Sequence, residues 1–289
     1  MSPNSRLASP RATIQTLQEY GLHTRKSLGQ HFLVDDNIVG RILALADISA
    51  DEPVLEIGPG IGTLTVALCA EAGHVLAIER DPRLLPVLEK LVAECRTLTI
   101  IHGDALKICA DDLVTPLGPP IALVANLPYS IAATLVLSLF QSAPSLASAT
   151  VMVQSEVADR MSAEPSSKDY GAFTVKLGLL ARTTGRFRVA RSCFLPPPRV
   201  DSSVIRLDRI TSMASAAEIA AAGSAAGAAF AYRRKTLRNS LCAALGADIR
   251  TVDLALEQAG IDGLTRAENL DIQQFVQMGI ALRGNSLLP

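Results

Sequence analysis

The chain has 289 residues, 49% of them hydrophobic and 19% charged, enough for one large domain or for a domain with a smaller companion. A net charge of −1 excludes a globally basic nucleic-acid binder, and the five scattered cysteines (Cys69, Cys95, Cys109, Cys193, Cys242) form no C-x-x-C pair, which argues against a disulfide framework or a zinc site and for a reducing cytoplasm. The polar stretch over residues 1–10 lacks the apolar core of a signal peptide, and the Ala-rich stretch over 213–232 is too weakly apolar for a membrane span.

In chain order, residues 14–17 are expected to pack as a short helix within an N-terminal extension over residues 1–24. From about residue 50, short apolar runs alternate with amphipathic stretches. Val54, Leu55, Glu56 and Ile57 predict a buried strand ended by a glycine turn, and residues 63–72 predict a helix. A second strand follows over 75–78, and Pro82 can open a helix that runs to about residue 93. Third and fourth strands are expected over 98–102 and 121–125, a helix over 131–140 and a fifth strand over 150–153. Strands alternating with helices make an α/β fold with a parallel, doubly wound sheet. Residues 173–180, 187–189 and 204–207 are expected as antiparallel strands that finish this sheet. Beyond about residue 211 the chain reads as helical, with Leu237, Leu241 and Leu245 along one apolar face. The division is thus an extension over 1–24, a sheet domain over 25–210 and a smaller all-helical domain over 211–289.

Charge is uneven along the chain. Lys176, Arg182, Arg186, Arg188, Arg191, Arg199, Arg206 and Arg209 face only Asp201 and Asp208 within their window, and Arg233, Arg234, Lys235, Arg238 and Arg250 face only Asp248. Two such windows in one half of the chain favour a polyanion-binding surface over a merely solvated one.

Gly58, Gly60 and Gly62 follow a strand and precede a helix, where missing side chains let backbone approach a ligand. Thr63 stands where the dinucleotide fingerprint has its third glycine, so a nicotinamide dinucleotide is disfavoured. Glu79 ends the second strand and can accept from both hydroxyls of a ribose; Asp104, after the third, can accept from an adenine amino group. Each acid alone is more often a helix cap. Together, at successive strand ends facing one crevice, they describe a nucleoside site, and S-adenosylmethionine fits because it has a ribose and an adenine but no phosphate. Asn126-Leu127-Pro128-Tyr129 comes directly after the fourth strand. The lone pair of adenine N6 is delocalised into the ring. The Asn126 side-chain carbonyl and the Leu127 backbone carbonyl can take the two N–H hydrogens and localise that pair. Pro128 restricts Leu127 to extended geometry, and Tyr129 offers a face to a flipped base.

Asn126 to Tyr129, with Lys26-Ser27-Leu28-Gly29-Gln30-His31-Phe32-Leu33, Glu56 to Gly62, Gly103-Asp104-Ala105 and Phe194 to Ser202, resembles the ribosomal RNA adenine dimethylase superfamily. Tyr232 to Asn239 is similar to its bacterial small-subunit branch, and the resemblance covers about residues 25–282. It implies a Rossmann-like class I methyltransferase domain and N6,N6-dimethylation of two adjacent adenines in the 3′-terminal hairpin loop of 16S rRNA, within a pre-30S particle. It also implies a monomer that needs no metal and no membrane. The implied cofactor contacts are His31, Leu33, Gly58, Gly60, Glu79, Asp104 and Asn126. Phe194 is implied to stack on the adenine opposite Tyr129, and Arg233, Arg234, Lys235 and Arg238 to bind RNA. By residue type alone, His31 reads as structural and Phe194 as a core anchor. Competing readings are a 23S rRNA adenine methyltransferase of the macrolide-resistance type, a non-catalytic RNA-binding assembly factor and a small-molecule methyltransferase.

Overall fold

A computed structural model of the chain describes residues 4–23, 30–211 and 214–289. Residues Lys26 to Gly29 of the motif that runs to Leu33 lie outside the described residues. The first helix, α1 (Pro10–Glu19), covers the expected short helix; Ser9 caps it by accepting from the Ala12 amide, with proline at its first position. A two-residue strand β1 (Phe32–Leu33) and helix α2 (Asp36–Ala46) follow, and the Asp35 carboxylate caps α2. Then come β2 (Pro53–Ile57), α3 (Thr63–Glu71), β3 (His74–Glu79), α4 (Leu85–Glu94), β4 (Leu98–His102), β5 (Ala122–Asn126), α5 (Ala132–Ser142), β6 (Ser148–Gln154) and α6 (Ser155–Met161). After α7 (Ala172–Gly178), the strands β7 (Ala181–Val189), β8 (Phe194–Leu195) and β9 (Ser202–Arg209) precede four helices, α8 (Ala216–Ala229), α9 (Leu237–Leu245), α10 (Ile249–Gln258) and α11 (Ile272–Gly284).

Seven strands form one sheet in the order β4-β3-β2-β5-β6-β9-β7. The five from β2 to β6 pair in parallel, and β9 runs antiparallel to β6. Every residue of β2 and β3 is buried, as expected of parallel strands covered on both faces. The chain leaves β2 toward β3 on one side and returns through β5 on the other, so a crevice opens at the carboxyl ends of these two strands. A second, two-stranded sheet pairs β1 with β8, setting Leu33 opposite Phe194. Sequence periodicity has no purchase on strands of two residues, and this pair is not legible without the structure.

Residue contacts divide the chain into two units, Met1–Ala158 with Thr183–Arg209, and Asp159–Arg182 with Ile210–Pro289. The strand expected over 173–180 is the helix α7. Thr174, Val175 and Leu177 are buried along it, the Thr174 hydroxyl donates to the Arg160 carbonyl at 2.8 Å, and a Cβ at Gly178 would stand 2.8 Å from Ile272. Tertiary packing here overrides the β preference of Thr174 and Val175. This helix shares its core with α8 to α11, through Val175, Leu179, Ala222, Leu237, Leu241 and Phe275. In that unit α11 lies directly on α8: a Cβ at Gly279 would be 2.5 Å from the Ala222 backbone nitrogen. The expected helical texture beyond residue 211 is present as α8 to α11 among the described residues. Among the described residues no helix is long and apolar enough to cross a membrane.

Candidate active site

The glycine turn after β2 needs the residues it has. Gly58 and Gly60 both adopt positive φ (72° and 63°), a region that a side chain strains. A Cβ at Gly60 would also press on Phe32 at 3.2 Å. The turn is tied to the end of β3 at two points. The Gly58 amide donates to the Ile78 carbonyl at 2.9 Å, and the Gly60 amide to Glu79 Oε2 at 3.2 Å. Glu79 Oε1 accepts from the Asp81 amide at 2.7 Å, so both carboxylate oxygens are oriented by backbone while each keeps a lone pair. Burial raises the Glu79 pKa even though these amides pull it down. Asp104, just past β4, accepts from the Leu106 amide at 3.2 Å and lies 3.6 Å from Arg80.

His31, Leu33, Gly58, Gly60, Glu79, Asp104, Asn126, Leu127, Pro128 and Tyr129 line one cavity at the strand ends. Glu56 lines it too, a role not assigned to it from the sequence. The signal was present all the same: a carboxyl in an otherwise apolar, fully buried strand. Its side chain is 1% exposed, its Oε2 has no hydrogen-bond partner, and the Thr63 hydroxyl in the same wall is likewise unpartnered. Burial, with the Glu79 charge adding to it, pushes the Glu56 pKa up to about 8. Asp81 is already engaged by Arg83 and Gln30.

These residues fit S-adenosylmethionine. The oriented carboxylates can accept from hydroxyls and an amino group, the glycines leave room for close approach, and orphaned polar atoms wait for a partner. Glu79, Asp81 and Asp104 outweigh Arg80, which suits a sulfonium cation and repels phosphate, while the buried Glu56 carboxyl stays protonated near neutral pH.

On the opposite wall, the Asn126 side chain is oriented by its own hydrogen bond. Its Nδ2 donates to the His31 backbone carbonyl at 3.2 Å, which makes its Oδ1 the acceptor end. The Leu127 amide is spent on the Met152 carbonyl at 3.1 Å. The Tyr129 hydroxyl is 2.6 Å from Ser202 Oγ, and its ring stacks on His31.

Two expected site residues are packed or paired within the protein. Phe194 is 2% exposed, packs in the core beside Leu33 and Cys193, and is absent from the cavity wall. Pairing of β8 with β1 aims this large apolar ring inward, where its burial is most favourable. Arg238 is held by Asp253 at 3.1 Å with its Nε buried. Arg233, Arg234 and Lys235 are exposed on the turn before α9, and Lys235 lies over the Tyr232 ring. The basic window over 176–209 is thinner than its count suggests. Arg206 donates to the Leu45 and Ala46 carbonyls and Arg209 to those of Ala143 and Leu146, so both are structural cations.

A doubly wound sheet with β9 antiparallel to β6, and a cavity at its strand ends that fits S-adenosylmethionine, define an S-adenosylmethionine-dependent methyltransferase of class I. The family model for ribosomal RNA adenine dimethylase matches residues 21–283, and the chain belongs to that family. It is 43% identical to the Ribosomal RNA small subunit methyltransferase A of Magnetococcus marinus, across 91% of this chain and 93% of that one. Among solved structures it is similar to a dimethyladenosine transferase from Plasmodium falciparum, with a TM-score of 0.74 and 26% identity over 89% of this chain and 98% of that one. The 23S rRNA methyltransferase ErmE superposes with a TM-score of 0.65 and 28% identity, covering 87% and 99% of the two chains.

Proposed function

We propose that this protein transfers methyl groups to N6 of two adjacent adenines in the 3′-terminal hairpin loop of 16S rRNA, acting as a cytoplasmic monomer on a pre-30S particle. The observation that carries the reading is the orientation of Asn126. With its nitrogen committed to His31, its oxygen is left to accept from an amino group. The Leu127 carbonyl is the second acceptor. Together they take the two N6 hydrogens, draw the nitrogen toward tetrahedral geometry and free its lone pair. Pro128 fixes the path of the chain between them, and Tyr129 carries the extruded base on its ring.

Glu79 and Asp104 hold the ribose and the adenine of the cofactor, against Leu33, Gly58 and Gly60. S-adenosylmethionine supplies the activated methyl on a sulfonium, with a neutral thioether as leaving group. The acids of the cavity wall favour that positive charge. Acceleration comes from positioning and oriented dipoles, and water takes the proton lost by the methylated amine. The α/β unit binds cofactor and base. The helical unit binds rRNA, with Arg233, Arg234 and Lys235 on phosphates, while Arg238 braces α9 against α10 through Asp253.

Incubation of undermethylated 30S and 50S particles with labelled cofactor, followed by mass spectrometry of the nucleosides, tests this. The expected product is N6,N6-dimethyladenosine in 16S RNA from 30S particles alone. Label in 23S RNA, or in neither, refutes the reading.

A further inference from the structure

His31 reaches both loops that frame the acceptor side of the cavity. Its backbone carbonyl holds Asn126. Its imidazole makes two further contacts that the cofactor does not require. The ring lies against the Tyr129 ring, centroids 5.8 Å apart and planes 23° from parallel. Its Nδ1 is 2.8 Å from the Pro196 carbonyl in the loop that follows β8. A carbonyl oxygen can only accept, so Nδ1 is the donor of this bond.

The two contacts act on different coordinates of Tyr129. At the far end of that ring the hydroxyl is fixed by Ser202, which is fully buried. A hinge at the hydroxyl and another at the backbone still leave the ring free to tilt about the line joining them. The imidazole blocks that tilt from one face, and its separation from Tyr129 leaves no room for a third ring between them. A base that stacks on Tyr129 must therefore use the other face. The bond to Pro196 in turn anchors the imidazole, so the Tyr129 plane, the Asn126 amide and the 194–198 loop are held in one register by a single residue.

We propose that the His31 side chain is a positioning residue for the acceptor base: stacked on Tyr129 and bonded to the Pro196 carbonyl, it sets the plane on which adenine lies before Asn126 and Leu127. This rests on the adenine N6 reading of the site. It assigns the imidazole to the acceptor side, whereas the family resemblance implies a cofactor contact. The two assignments differ in which constant they move. Removing a cofactor ligand would weaken cofactor affinity. Removing a positioning residue lowers the methyl-transfer rate and leaves cofactor affinity alone.

The test uses the full-length protein with 30S particles, and measures the dissociation constant of S-adenosylmethionine by calorimetry beside the single-turnover methylation rate. His31→Ala removes both imidazole contacts; His31→Asn keeps a donor close to the Nδ1 position; His31→Phe keeps only the ring. For His31→Ala the expected result is a rate lower by roughly tenfold to a hundredfold, the range that follows small misplacements of reacting groups, with an unchanged dissociation constant. His31→Asn and His31→Phe should each recover part of that rate. If His31→Ala does not fold, the paired variants decide, since each lacks one of the two contacts and should fall below wild type in rate alone. A weakened cofactor affinity that accounts for the whole loss, or wild-type rates in the variants, overturns the proposal. Wild type that fails to methylate 30S particles would instead overturn the parent reading.

Discussion

Glu56 gives the most quantitative prediction. Its carboxyl is 1% exposed at the floor of the cavity, and burial, reinforced by the Glu79 charge, raises its pKa from 4.5 to about 8. An acid raised in this way holds its proton more tightly folded than unfolded. Below the unfolded value it is neutral in both states and costs nothing. As pH rises from there toward about 8, the unfolded chain ionises freely while the folded one does not, and stability falls by about 1.4 kcal/mol per pH unit. Glu56→Gln keeps the shape and removes the titration. Between about pH 6 and about pH 8 the wild type should therefore lose about 2 kcal/mol relative to the variant. Urea unfolding of both proteins across this range, followed by circular dichroism with matched slopes, measures the difference directly. Stability curves that stay parallel with pH would show that Glu56 is ionised throughout, and the argument from burial would fail.

Gly279→Ala places a methyl against the Ala221 and Ala222 backbone, which cannot swing aside as a side chain can, and should cost about 2 kcal/mol by forcing α11 off α8; an unchanged denaturation midpoint would refute the close approach of the two helices. Replacing Arg233, Arg234 and Lys235 singly with Ala should lower the slope of log affinity against log salt for 16S RNA by about one unit for each phosphate that is no longer neutralised. Arg238→Ala should leave that slope unaltered while lowering stability, because its guanidinium is bound to Asp253. A changed slope for Arg238, or unchanged slopes for the other three, would reverse the assignment.

Much of the catalytic unit was legible because its signals are local. Largely apolar runs such as those around Val54 and Val75 mark buried parallel strands, and Glu79 and Asp104 sit at or just past the ends of strands whose direction is already known. Glu79 and Asp104 could thus be placed at the crevice from the order of residues alone. What stayed hidden depends on contacts distant in sequence. The helix around Val175 is made by a hydroxyl bond to Arg160 and by a shared core with α8 to α11, neither visible in a stretch rich in β-branched residues. The direction of the Phe194 side chain, a core anchor by residue type and a stacking ring by resemblance, is set by a two-residue pairing of its strand with Phe32 and Leu33. Counting charges overstated the basic surface for a similar reason, since Arg206 and Arg209 are consumed by backbone carbonyls far along the chain.

On the proposed reading, the Asn126 amide and the Leu127 carbonyl prepare adenine N6 for attack. The most direct test is Asn126→Ala, with single-turnover methylation of 30S particles measured beside calorimetric binding of S-adenosylmethionine. Loss of an acceptor that acts mainly in the transition state should slow transfer by about a hundredfold or more while cofactor binding is largely retained. A variant that methylates at the wild-type rate would contradict the mechanism outright.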